Sequence, residues 1–377
     1  MRTFEAKNRY FDTLFNTEGL YWLGQNTNHM PMHPAVRQAI LDTVAREDFH
    51  AYAPPAGFEE LRALILRDLG LEGASVYLTD GAVEGLYLVC RNLCRPGDAF
   101  VTTDPGWKWP MSFSRASGAT VVEIPIYDPG TDYKLTPAQL EAAITPKTRV
   151  VYLVDPNNPL GIRYTSKEIE AFARIAKAAG AYLIHDCTYR HFADGHTLAY
   201  PFYPEGTIVT YSFSKWLGLA GLRVGAIVAH PDLLESLVET APNMLGGSVL
   251  AQRAAIAGLK IKDAWFPEVQ AIQRRNQAKI KKAVDSLPGL AMPVYPSHGN
   301  FVVVDCAESG LAPEAICDVF RERGIMIRQG AYHSKVAGHR FIKVSTTVPE
   351  AWIDAFCRAL PEVVEAARGR NELAVQF

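Results

Sequence analysis

No apolar run in this chain of 377 residues approaches the ~18 residues of a membrane-spanning helix, so no transmembrane segment is expected. The first fifteen residues, MRTFEAKNRYFDTLF, carry charge throughout and lack an apolar h-region, so no secretory leader is expected either. Cysteine is sparse and scattered: Cys90, Cys94, Cys187, Cys306, Cys317 and Cys357 include no C-x-x-C pair. That pattern fits neither a disulfide framework nor a zinc site, and points to reduced, buried thiols in a soluble cytoplasmic protein. A dominant charge sign is also missing. The formal net charge of -2 gives no electrostatic case for nucleic acid or an anionic membrane. Repeats, low-complexity tracts and long linkers are absent from the sequence. What remains is 48% hydrophobic and 21% charged, enough to bury a large core, over a length suited to one large domain and a smaller one.

Strand-like runs alternate with helical patterns. Residues 75–79 (SVYLT) precede Gly81 and a helical stretch to Leu93. Further strands are predicted at 99–103, 120–126, 150–154, 181–185, 207–211 and 224–228, with a helix over 166–179. Such alternation implies an α/β fold, a mainly parallel sheet flanked by helices, with ligands outside the carboxyl ends of the strands. After about residue 245 the texture changes. A long helical region (250–287) leads to strand-like runs at 301–305 and 341–345 around a helix at 313–323, reading as a smaller α+β domain. The expected division is a large domain over 46–275 and a small one from 1–45 plus 276–377.

The most informative stretch is 211–225, YSFSKWLGLAGLRVG. Ser212, Ser214 and Lys215 close the run TIVTY, and Gly218, Gly221 and Arg223 follow at once. Lysine becomes a nucleophile when desolvated or set among other cations. Two hydroxyls, a guanidinium fork and glycine backbone are what a phosphate needs. A lysine that takes an aldehyde beside a phosphate points to pyridoxal 5'-phosphate held as a Schiff base. The plainer reading is a strand ending in a surface lysine and a glycine turn. Asn157-Asn158-Pro159-Leu160-Gly161 follows another strand; its amide can donate to an anionic oxygen, or the motif can be an ordinary turn. Asp186 ends a third strand, where a carboxylate either pairs with a pyridinium nitrogen or caps a helix.

Taken in order, these segments resemble the class I/II aminotransferase family, the fold-type I enzymes that depend on pyridoxal 5'-phosphate, and especially its histidinol-phosphate aminotransferase-like branch. The likeness runs from about residue 19 to residue 363, and SFSKWLGLAGLRVG is its most specific element. The resemblance implies that Lys215 carries the cofactor and shuttles the proton. It implies that Ser212, Ser214 and Arg223 hold the phosphate, with Gly81, Ala82 and Val83 offering N–H groups at a helix start. Asn158 and Tyr189 would meet the cofactor's phenolate oxygen, and Asp186 its ring nitrogen. Trp107, in TDPGWKWP, stands where the family usually stacks a tyrosine or phenylalanine on the ring; an indole stacks as well. Tyr52 is similar to a tyrosine that reaches the neighbouring subunit's phosphate, which implies a homodimer.

On the substrate side, Asn26 and Asn28 resemble an Asn-x-Asn pair in a segment that crosses the pocket. His29 adds a group that titrates near neutrality, or is a solvated loop residue. Lys343, in FIKVS, stands where the family has an arginine that grips the substrate α-carboxylate; an ammonium attracts a carboxylate but orients it less well. Arg340 or Arg328 would then substitute, or the substrate is not an ordinary α-amino acid, or Lys343 is a solvated surface lysine. The implied activity is transfer of an amino group between an amino acid and a 2-oxo acid. The departures at Trp107 and Lys343 keep a lyase, cyclase, decarboxylase or oxidase on the same fold as the alternative.

Overall fold

In the computed structural model, which describes residues 3–370 and Leu373, the apolar runs between residues 75 and 229 form one seven-stranded sheet. A short strand β1 (Tyr21–Trp22) comes first in the chain. The sheet is built from β2 (Ser75–Thr79), β3 (Ala99–Asp104), β4 (Thr120–Pro125), β5 (Thr148–Val154), β6 (Tyr182–Asp186), β7 (Thr207–Ser212) and β8 (Gly225–Ala229). Their order across the sheet is β2-β8-β7-β6-β5-β3-β4. Every neighbouring pair is parallel except those of β8, which runs against both β2 and β7. β7 and β8 are buried at every position, which is why they read as unbroken apolar runs. β4, at the edge, is mostly exposed or half-buried. Sequence and structure differ at strand ends by one or two residues: β5 starts two residues early, and β6 includes Asp186 because its backbone still pairs with Thr210 of β7.

Helices α1 (Thr3–Phe15), α2 (Pro34–Ala45), α3 (Glu59–Leu69), α4 (Ala82–Leu93), α5 (Lys108–Ala116), α6 (Pro137–Ala143), α7 (Ser166–Ala178) and α8 (Pro231–Val238) precede or interleave with the strands or follow them. α7 shows why the local sequence folds this way. Thr165 and Glu168 form a reciprocal capping box at its start, and Ile169, Phe172, Ala173 and Ala176 bury one stripe against the sheet.

α9 (Val249–Asp285) is a single helix of 37 residues that joins two cores. Ala251, Ala254, Ala255 and Ile256 pack into the core of the large sheet, while Ile280 and Val284 pack into a second core. The expected division near residue 275 therefore falls inside a helix. The second core lies under a three-stranded antiparallel sheet of β9 (Phe301–Asp305), β11 (Arg328–Gln329) and β12 (Phe341–Ser345), with β12 in the middle. β10 (Ile325–Met326) pairs with β1, tying the N-terminal stretch to this half. α10 (Pro313–Glu322) and α11 (Glu350–Ala367) cover the small sheet, with Phe320 stacked on Phe356 at 4.6 Å. No helix among the described residues is long and apolar enough to cross a membrane. All six cysteines are free, five of them buried. The terminal residues 1, 2, 371, 372 and 374–377, which the expected small domain includes, lie outside the described residues.

Phe356 is fully buried, so Phe356→Ala should lower unfolding free energy by about 3–5 kcal/mol through lost transfer energy and a cavity. Denaturant melts check this; a loss below about 1 kcal/mol would mean that the second core closes over the gap.

Candidate active site

The carboxyl ends of β5, β6 and β7 and the start of α4 open onto one cavity of about 510 Å³. One end is an anion cradle. Ala82 and Val83 begin α4, and Ser212, Ser214 and Arg223 face them across the cavity wall. These groups offer N–H, hydroxyl and guanidinium donors and no carboxylate. Gly81 caps α4 at φ +80°, and a Cβ there would run into the Arg223 guanidinium; a Cβ on Gly225 would run into the backbone nitrogen of Ala82. Arg223 itself has φ +55°, and its guanidinium donates to the carbonyls of Ala220 (2.8 Å) and Asp80 (3.1 Å).

Lys215 stands at the middle of the cavity, its Nζ donating to the carbonyl of Gln25 at 3.2 Å. Removal from water, helped by the positive charge of Arg223 and opposed by Asp186, brings the ammonium down to about 8. Asp186 is gripped by four donors. Tyr152 OH reaches Oδ2 at 2.7 Å, while Thr188 Oγ1 (2.6 Å), Thr188 N (3.1 Å) and Thr210 Oγ1 (2.7 Å) reach Oδ1. Burial and the adjacent carboxylate push the Tyr152 phenol well up, so it stays a donor.

Asn158 sits on a turn held from behind by Asp155, whose buried carboxylate accepts from Tyr164 N (3.1 Å) and His185 Nε2 (3.3 Å), while His196 Nε2 meets its backbone carbonyl at 3.1 Å and its Oδ2 at 3.1 Å. His185 Nδ1 accepts from Ala199 N at 3.2 Å, so its proton is on Nε2 and points at Asp155. In the group of His185, Cys187 and His196, whose ligand atoms lie close together, that tautomer directs His185 to Asp155, and Cys187 Sγ donates to the His185 carbonyl at 3.5 Å. Asp155 N donates to Asp186 O at 2.9 Å, joining the two strand ends.

The stretch 24–28 crosses the cavity. Asn26, at φ +55°, donates through Nδ2 to Tyr189 OH (3.0 Å) and Asn158 Oδ1 (3.4 Å). Its N–H donates to Ser345 Oγ at 2.8 Å, and its carbonyl accepts from Asn300 Nδ2 at 2.9 Å. Asn28 does not line the cavity; it anchors the crossing by donating to the Trp216 carbonyl at 3.0 Å. His29 is also outside, bonded to Thr27 Oγ1 at 2.7 Å with its ring 5.3 Å from that of Trp352.

The far end is lined by Trp107, Trp109, Arg328, Tyr332, His333 and Lys343. Lys343 is 3% exposed, which corrects the reading of a solvated surface lysine: β12 is covered on both faces. Arg328 is its register partner on β11 and lies 4.0 Å from the centre of the Tyr332 ring. Arg340 turns away to Asp305 at 3.1 Å. Tyr52, 79% exposed, does not reach the cavity of its own chain.

Gln25, Tyr152, Thr188, Thr210, Asn300 and His333 were not singled out from sequence. For Thr210 a signal existed: the two-residue period of a strand puts it on the same face as Ser212. Asn300 and His333 carry no local signal.

The family model described as aminotransferase class I and II matches residues 18–360. The chain belongs to this family. Among aminotransferases it is 30% identical over 317 residues to a histidinol-phosphate aminotransferase of Rhodospirillum centenum, covering 81% of this chain and 83% of the relative. It is 31% identical over 319 residues to an arginine–pyruvate transaminase of Pseudomonas aeruginosa, covering 80% and 79%. In fold it is similar to the N-succinyldiaminopimelate aminotransferase of Mycobacterium tuberculosis, with a TM-score of 0.84 at 23% identity over 94% of this chain and 96% of that one.

The Lys215 environment sets a pH signature for this aminotransferase. Trapping a small aldehyde on Lys215 with borohydride should accelerate as pH rises through about 8, where the amine loses its proton, and then level off. Peptide mass mapping gives the rate; a rise that continues into the ordinary lysine range would contradict the desolvated setting.

Proposed function

We propose that this aminotransferase-family chain uses pyridoxal 5'-phosphate to move an amino group between an amino acid and a 2-oxo acid. The observation that carries the reading is that Lys215, Asp186 and Asn158 surround one cavity beside a carboxylate-free anion cradle. The residues present fit the cofactor. The cradle has donors for a phosphate, and at Gly81 and Gly225 a side chain would collide with the Arg223 guanidinium and the start of α4. Ser212, Ser214, Arg223 and the start of α4 would hold the phosphate, Trp107 would cover the ring, and Asn158 with Tyr189 would bond its hydroxyl oxygen. Asp186, fixed by its four donors, would face the ring nitrogen. When bound, the cofactor supplies an aldehyde that condenses with amines and a ring that draws off the electrons left by proton removal.

The chain's own residues do the rest. Lys215 would attach the cofactor, give way to the substrate amine and, as a neutral amine, take the proton from the substrate Cα and pass it to the cofactor carbon that bore the aldehyde. Its lowered proton affinity suits that exchange near neutral pH. Asn26, braced from both halves of the molecule, keeps Tyr189 and Asn158 in place and covers the cavity against water. Lys343 and Arg328 supply positive charge for the substrate carboxylate. The chain works as a cytoplasmic homodimer in this reading, with Tyr52 completing the phosphate site of its partner. Its exposure supports this, as does that of Phe49 (49%), Met244 (51%) and Leu245 (52%). Gly246 lies against the backbone of Ala53 and Pro54, which brings the segment of Met244 and Leu245 up to that of Tyr52.

A panel of amino acids offered with a 2-oxo acid should give a new amino acid and a new oxo acid in equal amounts, read by chromatography. Release of ammonia or carbon dioxide in their place would favour elimination or decarboxylation. Lys215→Ala should abolish covalent capture of the cofactor by borohydride and reduce turnover on the order of 10⁴-fold. Dimerisation should be needed for activity: specific activity should fall with dilution in step with the dimer fraction from sedimentation equilibrium. A fully active monomer would remove Tyr52 from the site.

A further inference from the structure

Lys343 lines the cavity, and the groups packed directly against it are apolar, aromatic or cationic. On its own strand it lies between Ile342 and Val344, both buried. β9 places the Phe301 ring 5.4 Å from Nζ, and β11 supplies Arg328 in register. Tyr332 and His333, from the turn after β11, and Lys215, from the loop after β7, line the same cavity. Behind His333, Lys108 donates to Ala331 O, and Asp104 accepts from Ser334 Oγ. Across the cavity, Asp186 is already gripped by its four donors. Among the described residues no carboxylate or other acceptor bonds Lys343 Nζ.

A buried ammonium with no counter-charge is costly, and losing its proton is the way out. Burial, then Arg328 and Lys215, push Lys343 well below the ordinary lysine range, and burial with Lys343 and Arg328 keeps His333 neutral. An arginine at this position has no such way out, because it stays charged.

We propose that at Lys343 a substrate carboxylate and a proton bind together: the free pocket holds Lys343 as an amine, and a carboxylate entering beside Arg328 lets it take up a proton from solvent. The balance is one carboxylate, one proton and one amine giving one carboxylate–ammonium pair, with no bond between heavy atoms made or broken. The inference rests on the reading of this cavity as an amino-acid site. The sign follows from linkage. Carboxylate affinity falls as pH rises through the window between the titration of free Lys343 and that of the complex, by about tenfold per pH unit, and is flat below it.

The test is calorimetric titration of the holoenzyme with succinate, in buffers of different ionisation enthalpy, from mildly acidic to alkaline pH. Wild type should take up about one proton per site more than Lys343→Arg somewhere in that range, once the protons seen in the cofactor's visible band, which report Lys215, are subtracted from each. Lys343→Met should bind succinate at least about tenfold more weakly. Equal proton numbers for wild type and Lys343→Arg, with succinate still bound, overturn the proton coupling and leave the amino-acid reading standing. Failure of the wild-type holoenzyme to bind any small carboxylate overturns the reading on which the inference rests. If Lys343→Arg does not fold, wild type alone decides. Its calorimetric proton number, less the protons seen in the cofactor's visible band, should still approach one; a remainder of zero overturns the coupling.

Discussion

Four donors hold the carboxylate of Asp186 in one orientation, and the rest of the cavity is arranged around that point. They come from β5 through Tyr152, from β7 through Thr210, and from the turn after β6 through Thr188, so one side chain stitches three adjacent strands at their carboxyl ends. The backbone of Asp186 also accepts from Asp155, which fixes the turn that carries Asn158. A displaced Asp186 would therefore disturb Asn158 as well as the floor of the cavity. A network of satisfied hydrogen bonds in a buried site is rigid because every member loses a partner when one moves.

The large sheet was legible because its strands are buried at most positions, and burial writes itself as β-branched runs ending in polar residues. Asp186 and Ser212 close such runs and Lys215 follows three residues later, while the roles expected of them came from the family resemblance. The small sheet was legible more weakly. Nothing in FIKVS says whether a lone lysine between isoleucine and valine faces water or a cavity, because the answer depends on what covers β12. The crossing segment was the least readable. Asn26 meets Ser345 across 319 positions and Asn158 across 132, and no local pattern encodes contacts of that reach. Tyr52 is hidden for another reason: its proposed partner site lies in a second molecule.

The cavity is electrically lopsided. Arg223 stands at one end, Arg328 and Lys343 at the other, Lys215 between them, and Asp186 is the main counterweight. Positive charge at both ends of the cavity favours a ligand set with two separated anionic groups. A phosphate at the cradle and a carboxylate at the far end would satisfy that field, which gives the proposed chemistry an electrostatic reason apart from any single contact.

The helix α9 has a mechanical consequence. At about 1.5 Å per residue its 37 residues, with Pro267 inside, span about 55 Å, anchored near one end in the large core and near the other in the small one. Its side chains Gln273, Asn276 and Gln277 bond the backbone of residues 297, 299, 346 and 348, so the segments flanking β9 and β12 ride on it. A tilt of one degree about its midpoint would move each end by roughly 0.5 Å, the order of displacement that separates a bonded from an unbonded donor. The helix is thus a lever arm. A small rotation of the second core would widen or narrow the gap between Lys343 and Lys215 while both cores stay rigid inside.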